Sequence, residues 1–216
     1  MSTMSRTTQE QVDERATGRL FGLADGVFAI AITLLALDLR VPDLGEHPTD
    51  HVLRHALADQ RGRYLAFLLS FYVIASYWRR HNTEMRTARA GHPALVGRTL
   101  PLLLVVCALP FAANLLGTYG GRDGIAIVVY AALNLFAVIA LLRIRREVRR
   151  HRLSPETGPA ADDLELWIDV VALVLALPVG YVFRPHGPVA LVVLMFLSGV
   201  VGSYTTRRRR RAGIGG

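Results

Sequence analysis

Residues 19–39, RLFGLADGVFAIAITLLALDL, decide how this chain is read. The stretch is apolar over a length that crosses about 30 Å of hydrocarbon as a helix, yet it carries Arg19, Asp25, Thr33 and Asp38. An ionisable side chain at bilayer depth costs at least ~2.5–3.5 kcal/mol on insertion scales, so such groups face neighbouring helices or a water-filled path rather than lipid. Function is therefore expected to sit on this first helix.

Working outward, further apolar blocks of similar length follow. Spans are predicted at 20–39, 62–78, 98–119, 124–142, 164–183 and 188–205, which gives six crossings. The chain has 216 residues, 52% of them hydrophobic and 19% charged, and the apolar ones are gathered in blocks rather than in the ~10-residue alternation of a membrane barrel. The expected fold class is an all-α integral membrane protein with six transmembrane helices and both termini cytoplasmic. Its organisation reads as an amino-terminal cytoplasmic segment (1–18), a membrane domain (19–206) and a basic cytoplasmic tail (207–216). The first eighteen residues lack the apolar stretch of a secretory signal, so they are expected to be retained. The second span is short, and its flanking arginines reach the interface by snorkelling.

All 25 basic residues are arginine, and the net charge is +8. With both ends inside, Arg6, Arg15, Arg19, the arginines from Arg79 to Arg98, those from Arg143 to Arg152 and the tail Arg207 to Arg211 are cytoplasmic. Arg40, Arg54, Arg61, Arg63, Arg122 and Arg184 remain outside. That bias obeys the positive-inside rule and fits a multi-pass protein of the inner (plasma) membrane. A basic tail beside a span serves topology and contact with anionic lipid head groups, so membrane lipids are expected partners and nucleic acid is not.

Several chemistries are excluded by pattern. Cys107 is alone, so no intrachain disulfide forms. There is no HExxH or GxSxG motif and no His, Cys or acid cluster within the spans, so enzyme activity is not expected. His47, His51 and His55 in the first outer loop are spaced by four, but Pro48 argues against a helix through His47. Solvated loop histidines are the ordinary reading, and no metal or other cofactor is expected. ValLeuArgHisAlaLeuAla in that loop suggests a short helix. The inner segment SerProGluThrGlyProAlaAlaAspAsp has the composition of a flexible connector.

At 3.6 residues per turn, Ile30, Thr33, Leu34 and Leu37 share one face of the first helix, while Ala29, Ala31 and Ala36 spread over the others. The bulky stripe either lines a symmetric axis between identical helices or faces lipid, and periodicity alone leaves both open. Elsewhere Asn114, Asn134 and Asp169 read as interhelical glue. Pro110 and Pro178 are expected to kink their helices, and Ser198, Gly199, Gly202 and Ser203 give small-residue spacings suited to close helix contact.

Arg19 followed by LADGVFAIAITLLALDL resembles the signature of the transmembrane protein 175 family of potassium channels, in which an arginine precedes PheSerAsp and an AIAxTLLxL-like run. Trp78 and His81 in TyrTrpArgArgHis resemble that family's second-helix pattern. Pro110 with Phe111, and Tyr130 with Asn134, are similar to its third and fourth helices. Where the family has PheSerAsp this chain has Leu23, Ala24 and Asp25, so the aspartate is kept and a neighbouring hydroxyl is lost. The resemblance implies a homotetramer with the first helices around a central pore, without the carbonyl filter of other potassium channels. It implies Ile30 as the principal constriction, Leu34 and Leu37 as further hydrophobic layers and Thr33 as a hydroxyl ring, with K+ the permeating ion. Such a pore gates by dewetting at aliphatic rings and offers threonine oxygens to a partly dehydrated cation.

Depth along the helices also places an inner polar network of Arg19, Asp25, Trp78 and His81. Arg19 and Asp25 are six residues apart and are not i+3 or i+4 neighbours, which directs Asp25 to another helix. His81 is the expected partner, with Trp78 packed beside it and offering its indole donor. The pair reads as a structural anchor, with a pH-responsive element as the sharper alternative. The function expected is a potassium-permeable cation channel; the alternative is a proton-coupled secondary transporter using Asp25 or Asp38. Transporters show internal repeats and broken helices at the midplane, and neither is evident here.

Overall fold

The apolar blocks become helices longer than the bilayer requires. The computed structural model describes residues 2–46, 48–87 and 93–150. The described residues form α1 (Ser2–Ala36), α2 (Asp50–Asp59), α3 (Arg61–Thr87), α4 (Pro93–Tyr119) and α5 (Gly124–Arg150). The predicted spans at 164–183 and 188–205, with Asp169, Pro178, Ser198, Gly199, Gly202, Ser203 and the basic tail, lie outside the described residues.

By length and composition, Gly18–Ala36, Leu95–Tyr119 and Gly124–Arg150 are suited to crossing a membrane. α3 is not among them, because Arg61, Arg63, Arg79 and Arg80 crowd the ends of its apolar stretch. Its 27 residues nevertheless extend about 40 Å at 1.5 Å per residue, as do those of α4 and α5.

α4 is the hub, packing on α1, α3 and α5. It runs as one helix from Pro93 to Tyr119 with Pro101 and Pro110 inside it. Leu102, Val106, Leu109, Ala112 and Leu116 give it a buried stripe at helical spacing, and Leu69, Val73, Ile74 and Tyr77 of α3 and Ile127, Tyr130, Ala137 and Leu141 of α5 complete the core. α3 and α4 cross closely at Gly62 and Gly117. A Cβ on Gly62 would lie 2.9 Å from the Gly117 carbonyl oxygen, and one on Gly117 would lie 3.0 Å from Arg63 Cα. Small residues are what let membrane helices approach this far.

A cluster of polar groups inside this core joins α3 to α5. Tyr77 Oη donates to Asn134 Oδ1 at 2.9 Å, Asn134 Nδ2 donates to the Tyr130 carbonyl at 2.7 Å, and the Tyr130 and Ser70 hydroxyls lie 3.1 Å apart. Asn134 thus serves as the interhelical glue expected of it, tying α3 to α5. Below this, Arg145 Nε approaches Glu84 Oε1 at 3.5 Å and Arg98 Nη2 approaches Glu147 Oε2 at 3.7 Å, linking the arginine-rich ends of α3, α4 and α5.

The short helix expected in the first outer loop is α2. Thr49 is its N-cap, its hydroxyl accepting from the Val52 N–H at 3.4 Å. His51 and His55 are exposed on it, and His55 Nδ1 lies 3.1 Å from Asp59 Oδ2. His47 lies outside the described residues, and no group of metal-ligating side chains occurs among those described.

Candidate functional site

α1 has two faces. Leu20, Ala24, Phe28, Ala31 and Leu35 are buried against the rest of the subunit. Their spacing of three and four keeps them on one side, and Phe28 fits into the bundle beside His81, with ring centroids 6.0 Å apart. The opposite side carries Leu23, Ile30, Thr33, Leu34 and Leu37. Ile30 is 61% exposed, Leu34 42% and Leu37 62%. The stripe isolated by periodicity is thus the part of α1 that its own subunit leaves uncovered.

Two details refine that stripe. α1 ends at Ala36, so Leu37 sits in the following turn, its N–H donating to the Leu34 carbonyl at 3.1 Å. The Thr33 hydroxyl donates back to the Ile30 carbonyl at 2.9 Å. That bond uses the proton and leaves the oxygen lone pairs directed away from the backbone.

Asp25 lies five residues before Ile30, about 140° around the helix from it, and is turned toward α3. There Trp78 Nε1 donates to Asp25 Oδ1 at 2.8 Å. The indole, not the imidazole, is the aspartate's hydrogen-bond partner. His81 is buried, stacked obliquely on Phe28, and its Nε2 has no hydrogen-bond partner. The reason is register: Trp78 and His81 are three residues apart on α3, and the longer reach of the indole meets a carboxylate at the edge of the α1–α3 contact while the imidazole is drawn into its apolar centre. Arg19 does not join them. It lies about 120° from Asp25 around α1, is exposed and makes no hydrogen bond or ion pair among the described residues. Ala24, next to Asp25, is 1% exposed and packs in the core.

A second polar clasp lies just past the C-terminal end of α1, where Asn114 Nδ2 of α4 donates to Asp38 Oδ1 at 2.7 Å. The sequence marked both residues as polar groups at membrane depth without pairing them, because 76 residues separate them and only the α1–α4 contact brings them together. Hydrogen bonds from α3 at Asp25 and from α4 at Asp38 hold α1 with its aliphatic stripe outward.

Comparison with known proteins follows this geometry. The family model of the endosomal/lysosomal potassium channel TMEM175 matches residues 19–110, which hold the second half of α1, all of α2 and α3, and α4 as far as Pro110. A potassium channel of Streptomyces collinus is 33% identical over 188 residues, covering 81% of this chain and 90% of that relative. The chain belongs to the TMEM175 family. A second relative, a potassium channel of Chamaesiphon minutus, is 36% identical over 140 residues, covering 62% of this chain and 67% of its own length. The crystal structure of a lysosomal potassium-selective channel TMEM175 homolog from Chamaesiphon minutus superposes with a TM-score of 0.71 at 26% identity, over 88% of this chain and 99% of that one. Family membership and the apolar helices make this a multi-pass membrane protein.

Proposed function

We propose that this chain is a potassium-permeable cation channel of the inner membrane that works as a homotetramer, with four copies of α1 around a central pore. Ile30, Leu34 and Leu37 form its hydrophobic constriction and Thr33 its hydroxyl ring. The observation that carries the reading is the two-sidedness of α1, whose Ala24, Phe28, Ala31 and Leu35 are buried in the subunit while Ile30, Leu34 and Leu37 are exposed. The names of the Streptomyces and Chamaesiphon relatives support potassium as the permeating ion.

The physical account is short. Rings of branched aliphatic side chains narrow a pore until water leaves it, so a cation crosses only when the ring widens or the ion sheds part of its shell. Thr33, one turn beyond Ile30, offers hydroxyl oxygens to that partly dehydrated ion, and potassium gives up water more readily than sodium. Nothing in this step requires a cofactor.

In proteoliposomes holding a potassium gradient, current should reverse near the potassium equilibrium potential and stay there as external pH changes. A reversal potential that tracks the proton gradient would instead indicate proton-coupled transport. Ile30→Asn should hydrate the constriction and raise basal flux, and unchanged flux would remove Ile30 from the pore.

A further inference from the structure

A small cleft opens between α4 and α5 at their arginine-rich ends. Its walls are Pro101 of α4 and Phe136 and Ile139 of α5, and Arg98 and Arg143 stand at its mouth. Gly97 lines it beside Arg98, and a Cβ there would meet nothing within 4 Å. The two arginines share a depth. Arg143 is 19 residues from the start of α5 at Gly124 and Arg98 is 21 residues from the end of α4 at Tyr119, or about 29 and 32 Å at 1.5 Å per residue. Both therefore sit at the same edge of ~30 Å of hydrocarbon, the edge that the positive-inside rule assigns to the cytoplasm. Phe136 lies two turns deeper than Arg143, within the acyl region.

Charge at the mouth is unbalanced. Arg143 is exposed and has no hydrogen bond or ion pair among the described residues, and exposed Arg146 follows one turn on. Arg98 is 45% exposed and reaches Glu147 only at 3.7 Å. Among the described residues, three guanidinium groups against one carboxylate leave two positive charges above an apolar slot.

We infer that this cleft binds an anionic phospholipid of the inner leaflet, with its phosphate head group between Arg98 and Arg143 and an acyl chain along Pro101, Ile139 and Phe136. Guanidinium groups suit phosphate oxygens through paired N–H donors, and the slot takes a chain that a free anion lacks. The site is independent of how the pore is formed.

The test is native mass spectrometry of the full-length protein in micelles titrated with phosphatidylglycerol or with phosphatidylcholine of the same chains. Wild type should hold phosphatidylglycerol more tightly. Arg143→Gln should lower that affinity about fivefold, the effect of one basic residue near an anionic surface, without changing phosphatidylcholine binding. Gly97→Leu, which adds bulk to the lining beside Arg98 and alters no charge, should lower it as well. Phosphatidylglycerol binding that survives Arg143→Gln, or that survives Gly97→Leu while Arg143→Gln weakens it, would overturn the site. So would a loss seen only when Arg207 to Arg211 are replaced by Gln, which would move the attraction to the tail.

Discussion

Breaking the clasp between Trp78 and Asp25 should loosen α1 from α3 by a predictable amount. The indole N–H to carboxylate bond is 2.8 Å long, and hydrogen bonds to charged groups contribute about 1.5–3 kcal/mol. Trp78 is 40% exposed and Asp25 is exposed, so the lower end applies, about 1.5 kcal/mol. Trp78→Phe removes the donor while keeping an aromatic ring, and Asp25→Ala removes the acceptor. Unfolding free energies in mixed micelles for wild type, both single variants and the double variant then isolate the pair. The double variant should be more stable than the sum of the two losses implies by about 1.5 kcal/mol. Additivity within the ~0.3–0.5 kcal/mol of independent sites would refute the assignment of Trp78 as the aspartate's partner. Repeating the cycle with His81→Phe in place of Trp78→Phe should give a smaller coupling, since no bond joins His81 to Asp25.

Thr33→Ala should leave folding intact, because its hydroxyl bonds only its own helix, while reducing the preference for potassium over sodium in bi-ionic reversal potentials. Gly62→Ala forces a Cβ to within 2.9 Å of the Gly117 carbonyl oxygen; overpacking of this kind costs about 1–3 kcal/mol and should appear as a lower melting temperature, with Gly117→Ala behaving alike. Tyr77→Phe strips the donor from buried Asn134 Oδ1 and should destabilise by about 1–3 kcal/mol, read by the same unfolding assay.

Much of this was legible in the sequence because bilayer physics constrains it tightly. Residues 19–39 announced a membrane helix with a special burden, and the four-residue rhythm of Ile30, Thr33, Leu34 and Leu37 named the face that the subunit leaves open. Cross-helix pairing was less legible. Asp25 has both Trp78 and His81 within one turn of α3, and only the packing of Phe28 decides that the imidazole goes inward and the indole takes the carboxylate. Asp38 and Asn114 carry no spacing signal at all, because their meeting depends on how α1 and α4 cross. The Gly62 and Gly117 contact was hidden for the same reason. The cleft beside Arg98 and Arg143 was foreshadowed only as a general excess of cytoplasmic arginine.

The central claim is that the exposed stripe of α1 lines the ion path, and a single cysteine at position 30 tests it most directly. Cys107 is exposed on α4, so Cys107→Ser supplies the background for Ile30→Cys. The account predicts that a water-soluble thiol reagent or silver ion abolishes potassium flux through the double variant but not through Cys107→Ser alone. It also predicts that oxidation joins neighbouring subunits through position 30. Undiminished flux, with the thiol labelled only by membrane-soluble reagents, would place Ile30 against lipid and contradict the account.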